Sequence, residues 1–186
     1  MVAATALWGA TFVIIRDSVA RIDPVALVCN RFGVATLLLV IVLVARRQRP
    51  DADAWCGGVL GGLFAAGGFL FQAIGLQTTT AGTSAFLTST GSLLAGLYAW
   101  PILGQRPSGA LVAGIALAAF GSALLAGPAA LRIGAGETWT LVGAVCWGAW
   151  VVAQARFAPR AEPLALTTVQ AATTASTMFR RRYKGT

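Results

Sequence analysis

Long apolar runs broken by short polar turns narrow the options for this chain more than any other feature. Most are about 17 to 23 residues long, close to the roughly 20 that a helix needs to cross the hydrocarbon of a bilayer. They fall at residues 24–44, 54–76, 83–103, 109–126 and 139–155, after a shorter one at 2–15. A seventh, at 164–179, is rich in Ala, Thr and Ser and only marginally hydrophobic, so it needs neighbours to hold it as a span. Charged residues are 11% of the chain and hydrophobic ones 57%, where a soluble domain carries roughly 25% charge. The chain reads as an all-α, polytopic helical membrane protein of about 6 to 7 spans.

The net charge of +8 does not point to nucleic acid. Thirteen of the fourteen basic residues are Arg, and most lie between apolar runs or in the final residues, whereas a basic groove gathers them on one soluble face. Cys29, Cys56 and Cys146 lie within apolar runs without metal-ligand spacing, and the chain has no His. They read as small buried hydrophobes, and neither a metal nor a cofactor is expected. The N-terminus lacks the basic stretch of a signal peptide, so the first run is expected to stay as a span.

The chain also repeats itself. Trp8-Gly9-Ala10 returns as Trp147-Gly148-Ala149, and at the same offset Val13 meets Val152, Arg21 meets Arg160, Pro24 meets Pro163, and Ala26-Leu27 meets Ala165-Leu166. Asp23 and Glu162 keep a carboxylate just ahead of each proline. Residues 1–127 therefore form one five-span unit, 128–138 a linker, 139–179 an incomplete second unit and 180–186 a basic tail. An odd number of spans per unit turns the second copy upside down, an arrangement found in secondary transporters with a site near the midplane.

The turns carry the charge. Arg16, Asp17, Arg21 and Asp23 are read as the first turn, and Arg46, Arg47 and Arg49 as the most basic internal one. With the N-terminus inside, six Arg lie on the inner side and three on the outer, as the positive-inside rule favours. The tail from Arg180 to Lys184 contradicts that orientation if the seventh segment crosses. In the third span, Gly57 and Gly61, and Gly58 and Gly62, have the spacing that lets helix backbones approach closely in lipid.

Several residues are candidates for a binding site. Asn30 and Arg31 stand about 10 Å into the second span at 1.5 Å per residue. An Arg at that depth either anchors an anionic or polar solute group or snorkels to the interface. Gln72 either lines a path or bonds a neighbouring helix. Trp8, Phe12, Phe86, Tyr98 and Trp147 either line a pocket or meet lipid, with Trp147 the repeat mate of Trp8. All six acidic residues lie at span ends or in loops, so no intramembrane proton carrier of the usual type is offered. No nucleophile and base pair, phosphate-binding loop or metal cluster is recognisable, and an enzyme is not expected.

Trp8-Gly9-Ala10-Thr11-Phe12, then Asp23-Pro24 with Arg31, resembles the opening of the EamA transporters of the drug/metabolite transporter superfamily. Gln72-Ala73-Ile74-Gly75-Leu76, Thr78-Thr79-Thr80-Ala81-Gly82, Ala85-Phe86-Leu87 and Gly104-Gln105-Arg106-Pro107-Ser108 resemble that family's third and fourth spans, and Gly114 with Gly121 its fifth. The sequence departs from the family at Gly96, where a proline is common, at Gln105, where a glutamate is common, and at Pro101. The resemblance implies two five-span units, the first complete here and the second only begun, in a multi-pass protein of a bacterial inner membrane with a cytoplasmic N-terminus. It implies transport of small metabolites or drugs by alternating access between inverted repeats. The missing spans would come from a longer chain or from a second copy in a homodimer. The alternative is a truncated membrane fragment that does not transport.

Overall fold

The computed structural model describes residues 2–106, 108–126 and 134–184; the side chains of 2–8, 115, 118, 119, 122, 123, 125, 126, 183 and 184 lie outside the description. It consists of seven α-helices, with no strand among the described residues: α1 (Val2–Val19), α2 (Pro24–Ala45), α3 (Ala52–Gly75), α4 (Ala81–Leu103), α5 (Gly109–Ala126), α6 (Ala135–Phe157) and α7 (Pro163–Lys184). Four of them, α2, α3, α4 and α6, are long and apolar enough to cross a membrane by length and composition. The chain is an all-α polytopic membrane protein.

Short polar residues start the helices. Asp23 Oδ1 accepts the Ala26 N–H at 2.9 Å with Pro24 in the first turn, where its missing N–H is no loss. Asp51 Oδ1 accepts from Ala54 at 2.7 Å, and Thr80 Oγ1 from Thr83 at 3.0 Å. Glu162 Oε2 accepts from Leu164 and Ala165 at 2.8 and 3.1 Å. The carboxylate ahead of each repeat proline is thus a cap in both copies. Gly104 ends α4 with φ +70, a left-handed conformation that glycine adopts without strain.

Three boundaries differ from those read in the sequence. α1 runs on through Arg16 and Asp17, which were expected in the turn, because both are exposed at the helix end and hydration of their side chains does not require the backbone to unwind. α7 takes in Arg180 to Lys184, so the basic tail continues the helix. Of the expected linker at 128–138, residues 128–133 lie outside the described residues, while α6 begins at Ala135, ahead of the span expected from 139, because Gly134 caps it and Glu137 Oε2 accepts the Gly134 N–H at 2.9 Å.

α6 lies between α3 and α4, and α7 between α2 and α3, while α1 and α5 sit at the edges. The glycines of α3 permit the close approach. A Cβ on Gly57 would stand 2.5 Å from Phe157 Cβ, one on Gly58 2.6 Å from Val169 Cβ, and one on Gly62 2.7 Å from the Gln170 carbonyl oxygen. Packing and interhelical hydrogen bonds, rather than exclusion of water, drive such contacts in lipid. Thr174 Oγ1 adds one, donating toward the Gly62 carbonyl at 3.0 Å. Other hydroxyls of α7, on Thr167, Thr168 and Thr177, bond carbonyls one turn back. A Thr-rich segment thereby meets its own hydrogen-bonding needs while Ala165, Leu166, Val169 and Met178 are buried.

The contacts fix helix directions. Leu43, near the end of α2, clusters with Ala165 and Leu166 at the start of α7, while Cys29 Sγ, near the start of α2, lies 3.9 Å from the Ala175 carbonyl oxygen far along α7. The repeat mates α2 and α7 are therefore antiparallel. α3 runs parallel to α7, since Gly58 meets Val169 and Gly62 meets Thr173, and antiparallel to α6, since Gly57 meets Phe157 and Gly75 meets Thr140.

Candidate functional site

A cavity of about 310 Å³ opens where α1, α2 and α3 meet, lined by Thr11, Ile15, Ser18, Val28, Arg31 and Phe69 among others. Its walls are almost wholly apolar, and Arg31 is the charged side chain in them. The Asp23 cap and Pro24 start α2 so that Arg31 comes two turns into the helix, on the same side as Leu27 and Val28. Arg31 Cζ lies 5.0 Å from the centre of the Phe69 ring and 6.0 Å from that of Phe32. Such cation–ring contacts contribute about 0.5–1 kcal/mol when exposed and about 2 when desolvated. They fix the guanidinium in place, but a phenyl ring accepts no conventional hydrogen bond. The N–H fork thus keeps its capacity for a carboxylate or phosphate, whose geometry it matches.

The rings continue inward from this point. Phe32 and Phe69 are 4.8 Å apart, Phe69 meets Trp147 edge to face at 4.6 Å, and Trp147 meets Trp150 edge to face at 5.5 Å. This row joins α2, α3 and α6. It rests on α3, where Gly68 lets the Trp147 indole approach: a Cβ there would stand 2.9 Å from the ring.

The other candidates are dispersed. Asn30 is exposed beside Arg31 and is not among the residues lining the cavity. Phe12 is buried in a core with Val19, Val28, Ala66, Leu70 and Met178. Gln72 is buried, and its Nε2 donates to Thr88 Oγ1 on α4 at 3.0 Å, the interhelical bond that was one of its two readings. Tyr98 lines a different cavity, about 340 Å³ between α3, α4 and α6, with Leu60, Phe64, Ala153 and Phe157. Phe86 is half-buried on α4, and the Trp8 side chain lies outside the described residues. The residues that sequence reasoning missed are Phe32, Phe69 and Trp150. Phe32 adjoins Arg31 in the chain, but Phe69 is one of several apolar residues in its span, and only the fold sets it under the guanidinium.

Among known proteins, the model of the EamA-like transporter family matches residues 1–127. An uncharacterized transporter of Archaeoglobus fulgidus is 29% identical over 130 residues, covering 69% of this chain and 39% of its own length. The uncharacterized transporter YyaM of Bacillus subtilis is 28% identical over 172 residues, covering 86% of this chain and 56% of its own. The chain therefore spans only about two fifths to just over half of these curated relatives. No solved structure matches it.

Proposed function

Because the chain belongs to the EamA-like transporter family, we propose that it serves the passage of small organic anions across a membrane, with Arg31 as the anchor for the anionic group. The single observation that carries this reading is the guanidinium over Phe69 in the wall of a largely apolar cavity between α1, α2 and α3. The Arg31 side chain is exposed, so a solute can reach it, and a carboxylate or phosphate offers the acceptors that the rings do not. Alternating access between the two repeat units would expose the anchor to each side in turn, and the antiparallel α2 and α7 are the elements that such a motion would move past one another. The site proposed for it is the inner membrane of a bacterium, with the N-terminus cytoplasmic. Helices beyond those of this chain, from a longer polypeptide or from a second copy, would complete the bundle.

The test is uptake into proteoliposomes of radiolabelled small carboxylates and, in parallel, neutral analogues of the same size. Uptake of a carboxylate that Arg31→Ala abolishes while folding is kept supports the reading. Equal uptake by Arg31→Ala, or a preference for the neutral analogues, contradicts it.

A further inference from the structure

The residues that line the cavity at Arg31 have sequence counterparts in the second repeat unit. Applying the offset that pairs Trp8 with Trp147, three of its lining residues, Thr11, Ile15 and Arg31, map onto Trp150, Gln154 and Gln170. Those three share a second property. Nε1 of Trp150 and Oε1 of Gln154 and Gln170 are buried with no hydrogen-bond partner among the described residues. A buried polar group left unpaired costs about 1–3 kcal/mol, and in a native fold it calls for an explanation. Of the six such atoms among the described residues, these three stand at the repeat equivalents of one cavity's lining.

Two of the atoms also converge. Gln154 on α6 and Gln170 on α7 each bring Oε1 to 3.2 Å from the point where a Cβ on Gly61 would stand. The two acceptors thus face one small volume beside α3, where glycine supplies no side chain. Trp150 stands one turn before Gln154, so both occupy one face of α6. The cavity of about 340 Å³ between α3, α4 and α6 is a separate space, since its lining includes Leu60 and Ala153 but none of Trp150, Gln154 and Gln170.

Resting on the reading of Arg31 as a solute anchor, we propose that Trp150, Gln154 and Gln170 form a second solute-binding station, selective for an uncharged primary carboxamide rather than an anion. Two carbonyl acceptors and one indole N–H are the complement of a carboxamide, which carries two N–H donors and one carbonyl oxygen. The repeat has replaced the cation Arg31 by the neutral Gln170 and the apolar Ile15 by the acceptor Gln154. The two stations lie eight residues apart along α3, from Gly61 to Phe69, or about 12 Å at 1.5 Å per residue.

The probe is acetamide, titrated into the full chain in lipid nanodiscs with ¹⁵N-labelled tryptophan and arginine, with acetate as the parallel titrant. The Trp150 indole N–H signal, assigned through Trp150→Phe, shifts saturably with acetamide and not with acetate. Gln154→Leu and Gln170→Leu each weaken that response by tenfold or more, and Gln170→Arg makes the indole respond to acetate. A shift that does not saturate, or one unchanged in both Leu variants, overturns the station and leaves the two Gln amides bonded to each other. The Arg31 Nε–H signal reports the anchor separately: acetate moves it in the wild type, and Arg31→Ala leaves the acetamide response intact. A silent acetamide titration with a live acetate response removes the station alone, and the reverse removes the anchor alone.

Discussion

Arg31 carries the functional reading because its position combines two needs that oppose each other. A guanidinium about 10 Å along a membrane helix is costly to bury, and here the faces of Phe69 and Phe32 offset part of that cost. Loss of one charge-assisted hydrogen-bond partner costs about 1.5–3 kcal/mol, so Arg31→Ala should weaken binding of a carboxylate roughly 10- to 100-fold. Arg31→Lys keeps the charge without the planar fork and should fall between the two in a direct binding titration. Phe69→Leu should lower affinity by a smaller factor, since it removes the ring and leaves the cation. The sequence made Arg31 legible through its charge alone. Phe69 was not legible, because nothing in an apolar run distinguishes a ring that meets a guanidinium from one that meets lipid. Gln72 illustrates the converse: a polar residue in a span stood out, and the fold pairs it with Thr88.

At the scale of the element, Gly57, Gly58 and Gly62 of α3 touch another helix and have no room to grow, while a Cβ on Gly33 of α2 would meet nothing within 4 Å. Gly58→Ala should destabilise the fold by about 1–3 kcal/mol through overpacking against Val169. Gly33→Ala should be neutral or stabilising by up to about 1 kcal/mol, from helix propensity. Thermal unfolding in detergent separates the two, and equal shifts would contradict the packing described. The caps differ in a similar way. Asp23 Oδ1 takes one backbone N–H, whereas Glu162 takes two and also accepts from Gln48 Nε2 at 3.0 Å. Removing a cap costs about 1 kcal/mol, so Glu162→Ala should lower the unfolding temperature more than Asp23→Ala. Hydrophobic runs revealed where most helices lie, but not how far α1 and α7 extend. Charge at a helix end says little about its last hydrogen bond, and the support for α7 comes from α2 and α3, far away in the chain.

For the whole molecule, the repeat seen in the sequence becomes two helices, α2 and α7, that run in opposite directions and pack together. With α7 running its full length beside α3, Arg180, Arg181 and Arg182 join Arg16 and Arg21 at one end of the bundle, opposite Arg46, Arg47, Arg49, Arg106, Arg156 and Arg160. The charge asymmetry that favoured one orientation in the sequence is thereby nearly cancelled, because the tail lies at the far end of a helix that the sequence left marginal. Side-chain packing of α7, which hydropathy does not register, is what the architecture adds. The central claim is that α7 crosses the membrane antiparallel to α2 and so carries Gln170 into the bundle beside Gly61 of α3. Reporters active on only one side of the membrane, fused in turn after Arg49, Arg160 and Lys184, test this most directly. The account predicts that Arg49 and Arg160 report from the same side and Lys184 from the opposite one. Lys184 reporting from the side of Arg160 would mean that α7 does not cross, and Gln170 would lose its place beside Gly61 of α3.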